Sequence, residues 1–181
     1  LFRVTSLAGW LARPFARLMP GRMQVMLASA PNRIGAPSWV DRPQVVAAEG
    51  TRRKRVALLS GCAQQVLRPE INEATVRLLS RHGCEVVIAK GVGCCGGIWH
   101  QLGWEQRVIG AAKANVAAWW RLLEDGGLDA IVFNASGCGV SLKEYGHLLR
   151  DDPEWAERDA RISALCRDIS EVLIDLGLKP A

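Results

Sequence analysis

From Arg55 onward, the sequence alternates short apolar runs with segments of helical periodicity, and this pattern constrains the fold most. The apolar runs at 56–59, 85–89 and 130–133 have the length and composition of buried strands. Strands that alternate with helices form βαβ units, in which the strands pair in parallel. The sequence therefore predicts an α/β fold, with a small parallel sheet of βαβ units and helices on both faces.

The segments between and after the predicted strands carry apolar residues at helical spacing. Before the second strand, Pro69 suits an early helical position and Gly83 a C-terminal stop. A longer apolar stripe at 104–123 predicts the second crossover helix. After the third strand, we expect a short helix at about 139–149 and one last helix at about 157–176.

Residues 1–50 have a different character, because they contain five of the eight prolines and only short amphipathic pieces such as 7–18. They predict a helical and extended connector, followed by a cysteine-rich domain at 51–181. The sequence begins with Leu1 instead of methionine and shows no cleavable signal pattern. We therefore expect it to be part of a longer protein.

The chain has a formal net charge of +5, and its basic residues are dispersed except for the run at 52–55. We interpret that run as the solvated end of a linker, because no aromatic or polar base-reading residues surround it. We expect no nucleic acid as a partner. The apolar stretches are too short for a bilayer, which needs about 20 apolar residues, so a soluble or peripheral protein is expected.

Six cysteines without a secretory signal favour metal binding or buried thiols over disulfides. Four of them follow the carboxyl ends of the three predicted strands, where the loops of a parallel sheet converge. We therefore expect these four to meet in one metal site; they are Cys62, Cys94, Cys95 and Cys138. Cys84 opens the second apolar run and Cys166 falls within the predicted last helix, so both are interpreted as ordinary buried residues.

Glycines flank each of the four candidate cysteines, and their backbone amides can approach thiolate sulfur closely. The glycines predicted to support the bound group are Gly61, Gly93, Gly96, Gly97, Gly137 and Gly139. Four thiolates suit either zinc or a [4Fe-4S] cluster. The chain has no CxxC knuckle of the kind that holds structural zinc, and its cysteine pair is adjacent, so the iron-sulfur cluster is favoured.

The order Cys62, then Cys94-Cys95-Gly96, then Cys138 resembles the cysteine-rich CCG domain of heterodisulfide reductase-like proteins and glycolate oxidase iron-sulfur subunits. The resemblance extends from about residue 55 to the end. The segments 59–64, 134–139 and 143–149 are similar to the glycolate oxidase iron-sulfur subunit in particular. So are 36–38 and 41–45 in the connector.

This resemblance implies an electron-transfer subunit with an iron-sulfur cluster, and the four cysteines suit a cluster of the [4Fe-4S] type. It also implies flavin-containing glycolate oxidase subunits as partners, whose FAD oxidises glycolate to glyoxylate, so this chain would contribute no catalytic residue. The expected location is the cytoplasm, with peripheral association at the inner face of the plasma membrane through the complex. The connector would follow an amino-terminal ferredoxin-like region that this sequence lacks.

The sequence departs from the family pattern at one position that matters for the cluster. The pattern ends in CxxC and has five cysteines in all, whereas Ala135 stands in the place of the first cysteine of that pair. Four ligands remain, which suffice for one cubane cluster.

Two other functions fit the same residues. The chain could be a metal-free docking module that keeps the fold and the partner surface of the family. It could also be a thiol-based redox protein in which Cys94 and Cys95 react directly, activated by His100 or Lys90.

Overall fold

A five-stranded sheet lies at the centre of the structure, a computed structural model that describes residues 2–29 and 36–178. Residue 1 and residues 30–35 of the predicted connector, and 179–181 of the predicted domain, lie outside the described residues. The strands are β1 (Gln44–Val46), β2 (Lys54–Leu58), β3 (Cys84–Ile88), β4 (Ala130–Phe133) and β5 (Cys166–Asp168). Their order is β1-β3-β2-β4-β5, with β1 antiparallel and all other pairs parallel. The predicted α/β class is confirmed.

Ten α-helices are assigned in the described residues, and none of them is long and apolar enough to cross a membrane. The predicted helices after the first two strands are confirmed within a few residues as α4 and α6. The predicted helix at 139–149 is divided into α7 and α8 at Glu144. The helices are α1 (Phe2–Ala12), α2 (Gly21–Ser29), α3 (Gln64–Leu67), α4 (Pro69–Arg81), α5 (Gly97–Gln101), α6 (Glu105–Glu124), α7 (Ser136–Lys143), α8 (Tyr145–Leu148), α9 (Ala156–Ala164) and α10 (Ile169–Leu176).

Alternate residues of the central strands pack on opposite faces of the sheet, as the pleat of a strand requires. Val56 and Leu58 join Leu79 of α4 and Val172 of α10 in one apolar cluster. Ala57 and its neighbours on the other face pack with helices α6 to α9 in a second cluster. Helices therefore cover both faces, and the carboxyl ends of β2, β3 and β4 are fixed side by side.

The predicted single helix at 157–176 is wrong, because strand β5 divides it into α9 and α10. Cys166 begins this strand opposite Ile131 of β4, so its predicted place on a helix is also wrong. The break could not be recognised from the apolar pattern of the sequence, because apolar residues at helical spacing lie on both sides of the three-residue strand. The sequence did contain a signal for the start of α10. Asp168 caps this helix, and the Glu171 carboxylate accepts a hydrogen bond from the Asp168 N–H, so the two residues form a capping box.

Part of the predicted connector packs on the sheet. Strand β1 pairs with β3 along the edge, and Val40 is fully buried in the cluster beside α4. The Ser38 hydroxyl donates to Glu73 of α4 at 2.6 Å, which ties this segment to the helix. A three-residue edge strand gives too little alternation to be recognised from sequence. The boundary at residue 50 stays a prediction.

The interpretation of the basic run at 52–55 as the solvated end of a linker is wrong for its last two residues, which lie inside β2. The Arg55 guanidinium donates from Nη1 to the carbonyls of Asp125 and Gly127, at 2.6 and 3.1 Å. These carbonyls follow the C-terminus of α6, where a cation is favourable. Arg55 therefore ties the end of α6 to the central strand.

Asp159 of α9 is fully buried, and this makes the stability of the fold depend on pH. Among the residues that the structure describes, neither carboxylate oxygen of Asp159 has a hydrogen-bond partner. The nearby Leu149 N–H donates to the Tyr145 carbonyl. This N–H also lowers the pKa of the Asp159 carboxyl, but by less than burial raises it. Burial raises the pKa of Asp159 to about 6.

We expect Asp159→Asn to remove this pH dependence. Below pH about 4 the carboxyl is protonated in both states, whereas between pH about 4 and about 6 the unfolded chain loses the proton first. The native protein should therefore lose on the order of 2 kcal/mol relative to the variant as the pH rises through this window. Urea unfolding of both proteins at pH 4 and pH 7 measures this difference, and a constant difference would contradict the prediction.

Candidate metal centre

The four predicted ligand cysteines lie together at the carboxyl edge of the sheet. Cys62 is in the loop between β2 and α3, Cys94 and Cys95 are between β3 and α5, and Cys138 is in the first turn of α7 after β4. All four line one cavity of about 590 Å³. The predicted convergence of the three loops is thus present, and each loop belongs to a different βα unit.

The thiols form a chain of close contacts. The Sγ atoms of Cys62 and Cys94 are 3.4 Å apart, and the hydrogen bond between them lowers the pKa of Cys62 to about 7. Hydrogen bonds from Cys138 and Cys94 lower the pKa of Cys95. The bond with Cys62, and then that with Cys95, raises the pKa of Cys94, and the bond with Cys95 raises the pKa of Cys138. Because thiolates are the metal-binding form, uptake of a metal here would release the remaining thiol protons.

The cavity offers four thiols as donors, which suit an iron-sulfur cluster. Within residues 2–29 and 36–178, no three His, Cys, Asp or Glu side chains are arranged around a single point that could hold one metal ion. A four-iron cluster takes one thiolate on each iron and needs four sulfurs around a cavity. The donor set and the cavity fit the cluster, with Cys62, Cys94, Cys95 and Cys138 as its holders.

Gly96 and Gly97 allow the sharp turn that follows the cysteine pair. Gly96 has a φ of 86°, in the left-handed region, and its N–H donates to the Cys94 sulfur at 3.4 Å. The Gly97 N–H lowers the pKa of Cys95 by bonding its sulfur. A Cβ on Gly97 would lie 2.5 Å from the Ser141 hydroxyl and 3.6 Å from the Cys95 sulfur. Backbone amides therefore reach two of the sulfurs where no side chain intervenes.

The other four predicted glycines have different surroundings. Gly61 lines the cavity, and the Gly137 carbonyl accepts from the Ser141 hydroxyl. The amides of the remaining two do not reach a thiol, because Gly93 donates to Asn115 Oδ1 and Gly139 to the Ala135 carbonyl. A Cβ on Gly139 would overlap the Phe133 ring, so this glycine serves the packing of α7 on β4.

Gly96→Ala is expected to destabilise the protein by about 1–2 kcal/mol, because an alanine in the left-handed region is strained. The new Cβ would also lie 3.4 Å from Val108 of α6. Gly137→Ala is the matched control: it lies in α7, and its Cβ would meet nothing within 4 Å. Urea unfolding should show a loss for the first variant and none for the second. Equal losses would contradict the assignment.

A buried amide network that the sequence did not reveal supports the loop of Cys62. Asn72 of α4 is fully buried and donates to the Ser60 carbonyl at 2.7 Å. Gln64 donates to both Asn72 and Asn134, each at 2.7 Å, and Asn134 donates to Thr75 at 2.8 Å. The network joins the loops that follow β2 and β4, and so fixes the separation of Cys62 and Cys138.

A second buried pair, Asn115 of α6 and Tyr145 of α8, lies behind the cysteine pair. Tyr145 begins α8, which follows Cys138 along the chain. The sequence contained a signal for Asn115, because this polar residue lies between Ala112 and Trp119 on the apolar face of α6. A buried polar residue on such a face needs a partner and often marks a structural or functional role.

Cys84 and Cys166 are buried away from the cavity, as predicted. Cys84 begins β3, at the opposite end of that strand from Cys94, and burial raises its pKa. Cys166 donates to the Ile162 carbonyl at 3.4 Å, and burial raises its pKa to about 12. Both are kept protonated, and neither can join the other four.

Comparison with known proteins gives two kinds of match. Residues 56–143 match the family described as "CCG: Cysteine-rich domain", and this range includes all four cysteines of the cavity. The chain is 38% identical over 160 residues to the "Probable glycolate oxidase iron-sulfur subunit" of Bacillus subtilis. It is 34% identical over 173 residues to the "Glycolate oxidase iron-sulfur subunit" of Escherichia coli.

These alignments cover 88% and 96% of this chain but only 35% and 39% of the two relatives. The "Lactate utilization protein A" of Geobacillus thermodenitrificans is 31% identical over 122 residues, which are 67% of this chain and 48% of that relative. The chain therefore spans less than half the length of these three relatives, and the similarity extends to proteins named for two different substrates.

Proposed function

Residues 56–143 of this chain belong to the CCG family of cysteine-rich domains, and from that membership we propose that the chain is an electron-transfer part of a glycolate oxidase iron-sulfur subunit. The observation that carries the proposal is the convergence of Cys62, Cys94, Cys95 and Cys138 on one cavity. The names of the two relatives that align over most of the chain support the iron-sulfur assignment and the substrate.

The four cysteine thiolates would hold the cluster at the carboxyl edge of the sheet. When bound, a [4Fe-4S] cluster supplies a one-electron carrier. The protein controls what surrounds it: the Gly96 amide donates to the Cys94 sulfur, and the apolar side chains of Leu67, Ile71, Ile98 and Val140 line the cavity. Hydrogen bonds to sulfur and limited solvent access are the means by which a protein sets the potential of such a carrier.

Oxidation of glycolate to glyoxylate would take place on the FAD of partner subunits, and this chain would pass electrons onward without contributing a catalytic residue. Such a chain would work in the cytoplasm, with any membrane association provided by the complex. Because one relative is named for lactate, the identity of the substrate has to be tested directly. Reduction of the chain's iron by glycolate, and not by lactate, in the assembled complex would support glycolate.

The central experiment is isolation of the native protein without oxygen, followed by iron and sulfide analysis and electron paramagnetic resonance of the reduced protein. We expect iron and sulfide in equal amounts at this site and a paramagnetic signal on one-electron reduction. Cys84→Ala is a matched control, since this thiol is buried at the opposite end of β3 and should leave the iron content unchanged. Absence of iron from the native protein would overturn the proposal.

A second candidate, thiol-based redox chemistry, is favoured by one distance. Cys62 and Cys94 are 3.4 Å apart at their sulfurs, so this pair is placed to form a disulfide. Two thiols would lose two electrons and two protons to a disulfide substrate, which would be reduced to two thiols. Turnover by the metal-free protein that a thiol alkylator blocks would support this candidate over the first.

A further inference from the structure

Asn115 and Tyr145 form a buried clamp on the backbone of the cysteine pair. Asn115 Oδ1 accepts from the Gly93 N–H at 2.8 Å, and its Nδ2 donates to the Cys94 carbonyl at 3.0 Å. The Tyr145 hydroxyl donates to the Cys95 carbonyl at 2.8 Å and accepts from Asn115 Nδ2 at 3.0 Å. Both side chains are 1% exposed. The two residues thus bind three consecutive backbone positions from the side away from the cavity.

The chemistry of the partners fixes the direction of every bond in the clamp. The Gly93 N–H can only donate, so it must face the oxygen of the Asn115 amide. The carbonyls of Cys94 and Cys95 can only accept, so they require the Asn115 amide nitrogen and the Tyr145 hydroxyl. The hydroxyl has one proton, which it gives to Cys95, and it therefore accepts from Asn115. No polar group of the two side chains can be inverted without leaving a buried group unsatisfied.

The clamp also determines which backbone groups face the thiols. The Cys95 carbonyl and the Gly96 N–H belong to one planar peptide and point in opposite directions. Because Tyr145 binds that carbonyl on the core side, the Gly96 N–H is presented to the cavity, where it donates to the Cys94 sulfur at 3.4 Å. Rotation of this peptide would replace the amide near sulfur by a carbonyl oxygen, which repels a thiolate.

We propose that Asn115 and Tyr145 are positioning residues that hold the turn at Cys94 and Cys95 with the Gly96 amide toward sulfur and thereby raise the reduction potential of the group bound there. This inference rests on the iron-sulfur function proposed above. Hydrogen bonds to the sulfurs favour the reduced form, because that form carries more negative charge. Weakening the clamp should therefore make the bound group harder to reduce.

The test compares Tyr145→Phe with Ser80→Ala in the native protein. Tyr145→Phe keeps the ring and removes the hydroxyl. Ser80→Ala removes a buried hydroxyl that likewise donates to a backbone carbonyl, that of Ala47 at 2.6 Å, but on α4 outside the cavity. Redox titration monitored by electron paramagnetic resonance should give a lower midpoint potential for Tyr145→Phe and an unchanged one for Ser80→Ala. Both variants should unfold at similar urea concentrations.

Hydrogen exchange in the metal-free proteins gives a second readout that does not need iron. Amides at 93–97 should exchange about threefold to tenfold faster in Tyr145→Phe than in the parent, as expected when one hydrogen bond is lost. Asn115→Ala should accelerate the Gly93 amide further, since that amide loses its acceptor. Exchange at 93–97 should not change in Ser80→Ala.

The outcomes separate this inference from the proposed function. An unchanged potential in iron-loaded Tyr145→Phe, or unchanged exchange at 93–97, would overturn the role of the clamp. A parent protein that binds no iron would overturn the proposed function and with it the effect on potential, and faster exchange at 93–97 would then support only the ordering of the turn. A variant that loses iron while the loaded fraction keeps the parent potential would show a structural role alone, and would also overturn the inference.

Discussion

Cys95→Ala is expected to remove nearly all iron from the protein. Cys95 is the central thiol of the site, because it receives hydrogen bonds from Cys94 and Cys138 and is 5% exposed. Replacement of residues that only support metal ligands typically costs 10- to 100-fold in metal affinity, so loss of a ligand should lower the affinity by more than about 100-fold. The measurement is iron and sulfide per chain after isolation without oxygen.

Cys166→Ala is the control for the cysteine replacement. It removes an equally buried thiol that begins β5, outside the cavity, and should leave the iron content at the parent level. Parent levels of iron and sulfide in Cys95→Ala would show that this cysteine is not a ligand. Iron loss in both variants would point to damage of the fold instead.

Ala135→Cys is expected to add a fifth thiolate to the site and to increase the iron bound per chain. Ala135 is the N-cap residue of α7 and lines the cavity three positions before Cys138. The change completes the CxxC that the family resemblance implies. Iron and sulfide analysis and the electron paramagnetic resonance spectrum should both differ from the parent.

Ser136→Cys is the matched control, because it adds the same thiol one position later, where the side chain is exposed. Its iron content should equal that of the parent, and its new thiol should react freely with an alkylating reagent. If the thiol at position 135 reacts as freely in the loaded protein and the iron content is unchanged, the fifth position is not part of the site.

The sequence was sufficient to predict the parallel core and the convergence of the cysteines. Both depend on rules that act over a few residues: apolar runs form strands, and the residues that follow parallel strands share one edge. The position of Cys62 after β2 and of Cys138 after β4 needed no knowledge of contacts. It needed only the correct identification of three strands.

Other parts depend on tertiary contacts, and there the sequence was insufficient. Strand β5 is three residues long and is stabilised by pairing with β4, not by a pattern of its own. The clamp joins Asn115 to Tyr145 across 30 positions, and the amide network joins Gln64 to Asn134 across 70. A polar side chain reveals that it needs a partner, but its partner is chosen by the packing of whole helices.

The order of βα units along the chain also determines when the site can exist during synthesis. Its first cysteine is in the loop after β2 and its last is in α7, after the long helix α6. A ribosome-bound chain that has emerged only as far as α5 carries three of the thiols but not β4, the strand that closes the site. Iron offered at that stage would meet an incomplete set of ligands. Loading of the proposed cluster would therefore have to follow the emergence of α7, and a chain truncated before that helix could be synthesised but could not complete the site.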